Sequence, residues 1–142
     1  MTEPPPTEPV VFELATAVTD EMIDELGHVS NIAYLAWIQQ VATAHCAAVG
    51  FDREAFERLG GIWMVRKHAL EYLQPAYVGD EIVLASYIVD FRGASSERKT
   101  EVRRVSDGVV LCQASTLWVY VSIQSRRATR IPKEIVQAFA RS

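Results

Sequence analysis

Asp24, Gly27, His28, Ser30 and Asn31 lie in one short run, Asp24-Glu25-Leu26-Gly27-His28-Val29-Ser30-Asn31, directly before a long apolar segment. From Leu26 to Phe51 the chain has no Asp, Glu, Lys or Arg. A carboxylate in such a place can act as nucleophile or general base, and a nearby histidine as acid, base or loop-ordering group. The first backbone N–H groups of a helix lack intrahelical acceptors and favour negative charge. A carboxylate beside such a terminus supplies both needs of a hydrolytic centre: an electron pair for attack and donors for the oxyanion that forms.

The elements that must position these groups follow from patterning. Ile32 to Val49 is apolar nearly all the way round, broken only by Tyr34, Gln39, Gln40, Thr43, His45 and Cys46, which predicts a buried helix. Ser30 or Asn31 can cap its start and Gly50 its end. Val10 to Val18 is expected as a first strand, Thr19 to Gly27 as a polar connection, and Asp52 to Arg58 as a short exposed helix or turn. After Gly60-Gly61 come four strand-like runs: Ile62–Gln74, Glu81–Phe91, Ser96–Val105 and Val109–Ile123. Pro75 to Asp80 and Ser106-Asp107-Gly108 are the turns between them. Glu97, Lys99, Glu101 and Arg103 alternate onto one face, which must be solvated. Val109–Ile123 is apolar on both faces and is expected to be a central strand; Pro132-Lys133-Glu134 opens a short C-terminal helix. The fold class is therefore α+β, a long buried helix wrapped by a curved antiparallel five-stranded sheet. One domain is expected over 10–142, with residues 1–9, rich in proline, as a disordered tail.

The chain has 142 residues, 49% apolar and 23% charged, with a net charge of −4 and a pI near 5.4. An acidic balance argues against nucleic acid as the main partner. Met1-Thr2-Glu3-Pro4-Pro5-Pro6 is no secretory signal, and the glutamines, His45 and Asn31 argue against a membrane span, so a cytoplasmic location is expected. Cys46 and Cys112 sit in apolar runs and read as buried small hydrophobes. With His28, His45 and His68 scattered and no Cys–His spacing, neither a metal site nor a cofactor is expected; His45 and His68 read as structural.

The motif Asp24-Glu25-Leu26-Gly27-His28-Val29-Ser30-Asn31-Ile32-Ala33-Tyr34-Leu35-Ala36-Trp37 resembles that of the hot-dog fold, specifically the 4-hydroxybenzoyl-CoA thioesterase family. A second block, Leu70-Glu71-Tyr72-Leu73-Gln74-Pro75-Ala76 with Gly79-Asp80, resembles the same family, and the likeness runs from about Phe12 to Pro132. Ser30 departs from the pattern, standing where many relatives carry Asn. The resemblance implies hydrolysis of acyl-CoA thioesters. It implies Asp24 as the catalytic carboxylate, the Asn31 N–H as donor to the thioester oxygen, and His28 as an assisting group. Gly27 and Tyr34 become substrate-side positions, Tyr34 structural or pocket-lining. Gly93-Ala94-Ser95-Ser96 is similar to the loop that holds the nucleotide or pantetheine arm in relatives, which nominates Ser95 and Ser96. The phosphates of CoA require basic residues at the pocket mouth, and Arg92, Arg98, Lys99, Arg126, Arg127 and Arg130 are the candidates. A homodimer or homotetramer is the expected assembly. The competing readings are a non-catalytic acyl-CoA-binding module, a thioesterase acting on acyl carrier protein, and a hydratase or dehydratase, for which no His–acid pairing is visible.

Overall fold

The computed structural model describes residues 10–140; the expected tail at 1–9 lies outside them. Strand β1 (Phe12–Ala17) leads through a short 3-10 turn (Asp20–Met22) to helix α1 (Asn31–Ala48). Helix α2 (Arg53–Leu59) follows, then β2 (Gly61–Tyr72), β3 (Glu81–Arg92), β4 (Ser95–Arg104), β5 (Val110–Ser122) and helix α3 (Lys133–Ala140). The strands form one antiparallel sheet in the order β1-β3-β4-β5-β2. Consecutive strands β1 and β2 thus occupy opposite edges, and the chain between them must cross the whole sheet. Helix α1 makes that crossing.

Ser30 caps α1, its hydroxyl accepting from Ala33 N–H at 3.3 Å. Val49 is the last helical cap, and Gly50 follows with φ +96°, a left-handed conformation suited to glycine. On its sheet side α1 buries Ala33, Tyr34, Trp37, Ile38, Val41, Ala42 and His45. Of these, Ala33, Tyr34, Trp37 and Val41 pack with Val29, Ile82, Leu84, Val102, Leu111 and Cys112 into the larger apolar cluster. A second cluster gathers Tyr120, Ile131, Ile135 and Phe139, so α3 closes the other end of the sheet.

One expectation needs correction. The helix is not enclosed: Asn31, Ile32, Ala36, Gln39, Gln40, Thr43 and Ala47 are exposed, Ile32 at 78%. A single sheet covers one side of a helix, and the open side here holds mainly small or uncharged polar residues. Strand β5 is a central strand, as its two apolar faces require, paired with β4 on one side and β2 on the other. The middle position itself belongs to β4, whose alternation of charge demands only one solvated face.

Candidate active site

The run from Asp24 to Asn31 folds as a tight hairpin that feeds directly into α1. Ile23 bridges Val29, Asp24 N–H donates to His28 carbonyl at 2.9 Å, and Gly27 N–H donates to Asp24 carbonyl at 3.1 Å. Gly27 has φ +85°, and a Cβ there would meet no atom within 4 Å. The demand for glycine is therefore conformational and not steric. Ser30 N–H donates to Met22 carbonyl at 2.8 Å, fixing the hairpin's exit at the helix cap.

Within the hairpin, Asp24 Oδ1 accepts from Leu26 N–H at 2.9 Å. Its Oδ2 stands 3.6 Å from His28 Nδ1, close enough for charge attraction but too long for a hydrogen bond. His28 Nδ1 also lies 3.4 Å from the Val29 carbonyl. Both side chains are about one-third exposed, at 32% for Asp24 and 37% for His28. Asn31 and Ile32 open α1, and their N–H groups have no helical carbonyl four residues back.

The second motif braces the first. Val29 N–H donates to the carbonyl of buried Ala76 at 2.9 Å. Asp80 Oδ2 accepts from Tyr77 N–H at 3.0 Å and from Arg104 Nη1 at 3.3 Å, and Arg104 Nη1 also donates to Pro75 carbonyl at 3.3 Å. Asp80 carbonyl accepts from Val18 N–H at 2.9 Å. The Pro75–Asp80 turn is thus a tie between Arg104 on β4, the end of β1 and the Asp24 hairpin.

The other nominated residues fall elsewhere. Tyr34 is buried in the core, edge-on to Trp37 and Tyr72 at ring distances of 5.4 and 5.3 Å. Burial pushes its hydroxyl up to about 12, and it stays protonated. Ser95 donates to the Arg92 carbonyl at 3.1 Å and Ser96 to the Asp90 carbonyl at 3.0 Å, so both hydroxyls brace the β3–β4 connection.

Arg98 requires a correction: it is 3% exposed and is no cation at a pocket mouth. Its Nη1 donates to His45 Nδ1 at 2.9 Å and to Ser86 Oγ at 3.1 Å, and its guanidinium lies 5.9 Å from the centre of the Phe139 ring. The signal was in the sequence. If Glu97, Lys99, Glu101 and Arg103 face out, then Ser96, Arg98, Thr100 and Val102 must face in, and all four are buried. An arginine only donates, so His45 Nδ1 is unprotonated and the ring proton sits on Nε2, which is buried without a partner among the described residues. Burial, then the Arg98 charge, holds His45 down at about 4.

Asp24, His28 and Asn31 line neither of the two main concavities. One of these, of about 530 Å³, lies under the C-terminal half of α1 and has Arg98 and Ser96 on its wall.

A five-stranded antiparallel sheet carrying one long helix, with this hairpin at the helix start, defines a hot-dog thioesterase. A sequence profile of the Thioesterase-like superfamily matches residues 18–139, and the chain belongs to that superfamily. Thioester hydrolysis is the class of reaction that this membership assigns to it. Among individual proteins, the chain is similar to the acyl-CoA thioester hydrolase YbgC of Escherichia coli O157:H7, 26% identical over 129 residues that span 91% of this chain and 96% of that one. It also matches the chloroplastic acyl-[acyl-carrier-protein] hydrolase FATB3 of Cuphea viscosissima at 24% identity over 70% of this chain, but spans only 26% of that protein's length. In structure it resembles the protein SAV2348 from Staphylococcus aureus, solved in complex with CoA, with a TM-score of 0.87 at 19% identity, covering 94% of this chain and 84% of that one. A 4-hydroxybenzoyl-CoA thioesterase superposes with a TM-score of 0.84 at 15% identity, over 90% of this chain and 97% of that one. At such identities these structures speak for the fold.

Proposed function

We propose that the chain hydrolyses acyl-CoA thioesters, with Asp24 as the reacting carboxylate and the N-terminus of α1 as the oxyanion site. The observation that carries this reading is the hairpin itself. It holds one carboxylate oxygen on Leu26 N–H and leaves the other facing His28, two residues before the capped start of a helix with free N–H groups. The Asp24 carboxylate either attacks the thioester carbonyl or takes a proton from the attacking water; both routes need it ionised and both build negative charge on the thioester oxygen. The N–H of Asn31 donates to that oxygen, and the helix dipole adds to the stabilisation. His28 orders the hairpin and, when protonated, lends positive charge to Asp24.

The likeness to YbgC, an acyl-CoA thioester hydrolase, runs along nearly the whole of that chain, which supports CoA as the carrier. The plant relative acts on acyl carrier protein, which favours a second reading with that carrier. Thiol release from a panel of acyl-CoAs against the matching acyl carrier protein thioesters decides between the two; no hydrolysis of either would leave a binding module. Exposed Arg126, Arg127 and Arg130 are the cations we assign to the CoA phosphates in place of Arg98.

The active assembly in this reading is a homodimer or larger. Strand β2 is a twelve-residue sheet edge with exposed Ile62 and Met64, and an open edge of that length invites pairing. Asp24 lines neither of the two concavities described above, and in this reading a second copy supplies a wall for the acyl group.

A further inference from the structure

The 530 Å³ cavity under the C-terminal half of α1 is built unlike a simple gap in packing. Its walls include Phe51, Phe56, Trp63 and Phe139. Into this apolar space comes a guanidinium short of acceptors. Arg98 is only 3% exposed, and no carboxylate of the described residues lies within ion-pair distance of it. His45 and Ser86 engage only its Nη1. A buried cation without a counter-charge is costly, and a planar guanidinium matches a carboxylate in two-point geometry.

We propose that this cavity binds an apolar carboxylate, the acid group on Arg98 and the hydrocarbon among the aromatic walls. Charge at the rim selects against larger anions. Asp52 and Glu57 stand there with Arg53, so a polyphosphate such as CoA would meet net negative charge and a single buried cation. A monoanion neutralises Arg98 and adds no excess. The volume falls within the roughly 300–1,000 Å³ of small-molecule sites. The site is distinct from the Asp24 hairpin: Thr43 and Cys46 line it, and at about 1.5 Å rise per residue it lies roughly 20 Å along α1 from Asn31.

The ligand is a free organic acid. Calorimetric titration with octanoate and its neutral isostere octanamide tests the site without any need for catalysis, so failure of the hydrolytic reading leaves the test intact. Octanoate is expected to bind at least tenfold more tightly than octanamide, with Arg98→Gln erasing that preference and leaving octanamide nearly unaffected. Should Arg98→Gln not fold, the parent comparison of octanoate with octanamide stands by itself. Equal affinities, or no binding of octanoate at millimolar concentration, would overturn the proposal. So would CoA binding that depends on Arg98 in place of octanoate binding.

Discussion

Asp24 carries two duties that a single substitution separates. Its Oδ1 accepts from Leu26 N–H and shapes the hairpin, while its charge is what the proposed chemistry uses. Asp24→Asn keeps an acceptor of the same size and removes the charge, so the loop should survive and kcat should fall by about a hundredfold or more. A folded Asp24→Asn protein turning over acyl-CoA at the parent rate would remove Asp24 from the mechanism. His28→Ala should cost less, because the 3.6 Å separation from Asp24 leaves the carboxylate anchored by the backbone. His45 ties stability to pH, as does His68, whose pKa burial also lowers. Folding lowers its pKa from 6.5 to about 4, by burial first and Arg98 second. A depressed histidine favours the folded state fully above the unfolded value and loses that contribution as pH falls towards the folded one. The urea midpoint of the parent should therefore drop between pH 6.5 and 4. His45→Gln, which retains an acceptor for Arg98 and does not titrate, should show a shallower drop; parallel curves would place the loss in other groups.

At the scale of elements, the joints carry the clearest consequences. Ser30 satisfies Ala33 N–H at the head of α1, and Ser30→Ala should cost about 1 kcal/mol in chemical denaturation. The same change should also lower kcat if the helix start is the oxyanion site, since fraying there misplaces Asn31 N–H. Gly60 and Gly61 adjoin but are glycines for different reasons. Gly60 ends α2 with φ +79°, whereas a Cβ on Gly61 would fall 2.2 Å from the Tyr120 ring. Gly61→Ala must displace a ring that is 2% exposed and packed edge-on against Trp63, at a cost of roughly 1–3 kcal/mol measured in urea. An unchanged midpoint would mean that Tyr120 has room to swing, which its burial argues against.

For the whole molecule, the long open edge of β2 and the uncovered face of α1 lead to one expectation. Light scattering at micromolar concentration should give at least a dimer, and a clean monomer would count against a site shared between copies. Coenzyme A should raise the melting temperature in proportion to the logarithm of its concentration, as any ligand of the folded state does. Charge reversal at Arg126 should reduce that shift more than it reduces the melting temperature of the free protein. No shift at millimolar CoA would turn attention to carrier-protein thioesters.

The chain's order of elements was legible from local patterning, because periodicity and punctuation are properties of neighbours in sequence. Gly27, Ser30 and the uncharged run behind them located the hairpin and helix start; Gly93 and Gly108 located turns between strands, and Pro132 the start of α3. The face of β4 that takes up Arg98 was also implied by its alternation, though the opposite face drew the eye with its four charges. What local pattern could not decide was which strands become neighbours. The centre of the sheet went to β4 because β1 pairs with β3 and β2 with β5, choices made between segments far apart in the chain. No residue near Arg98 in sequence announces His45, Ser86 or the aromatic walls of its cavity; they meet it only when α1, β3 and α3 close over the sheet. The sequence could name a buried helix, but how much of it is covered depends on the surface that folds against it, and one sheet covers one side.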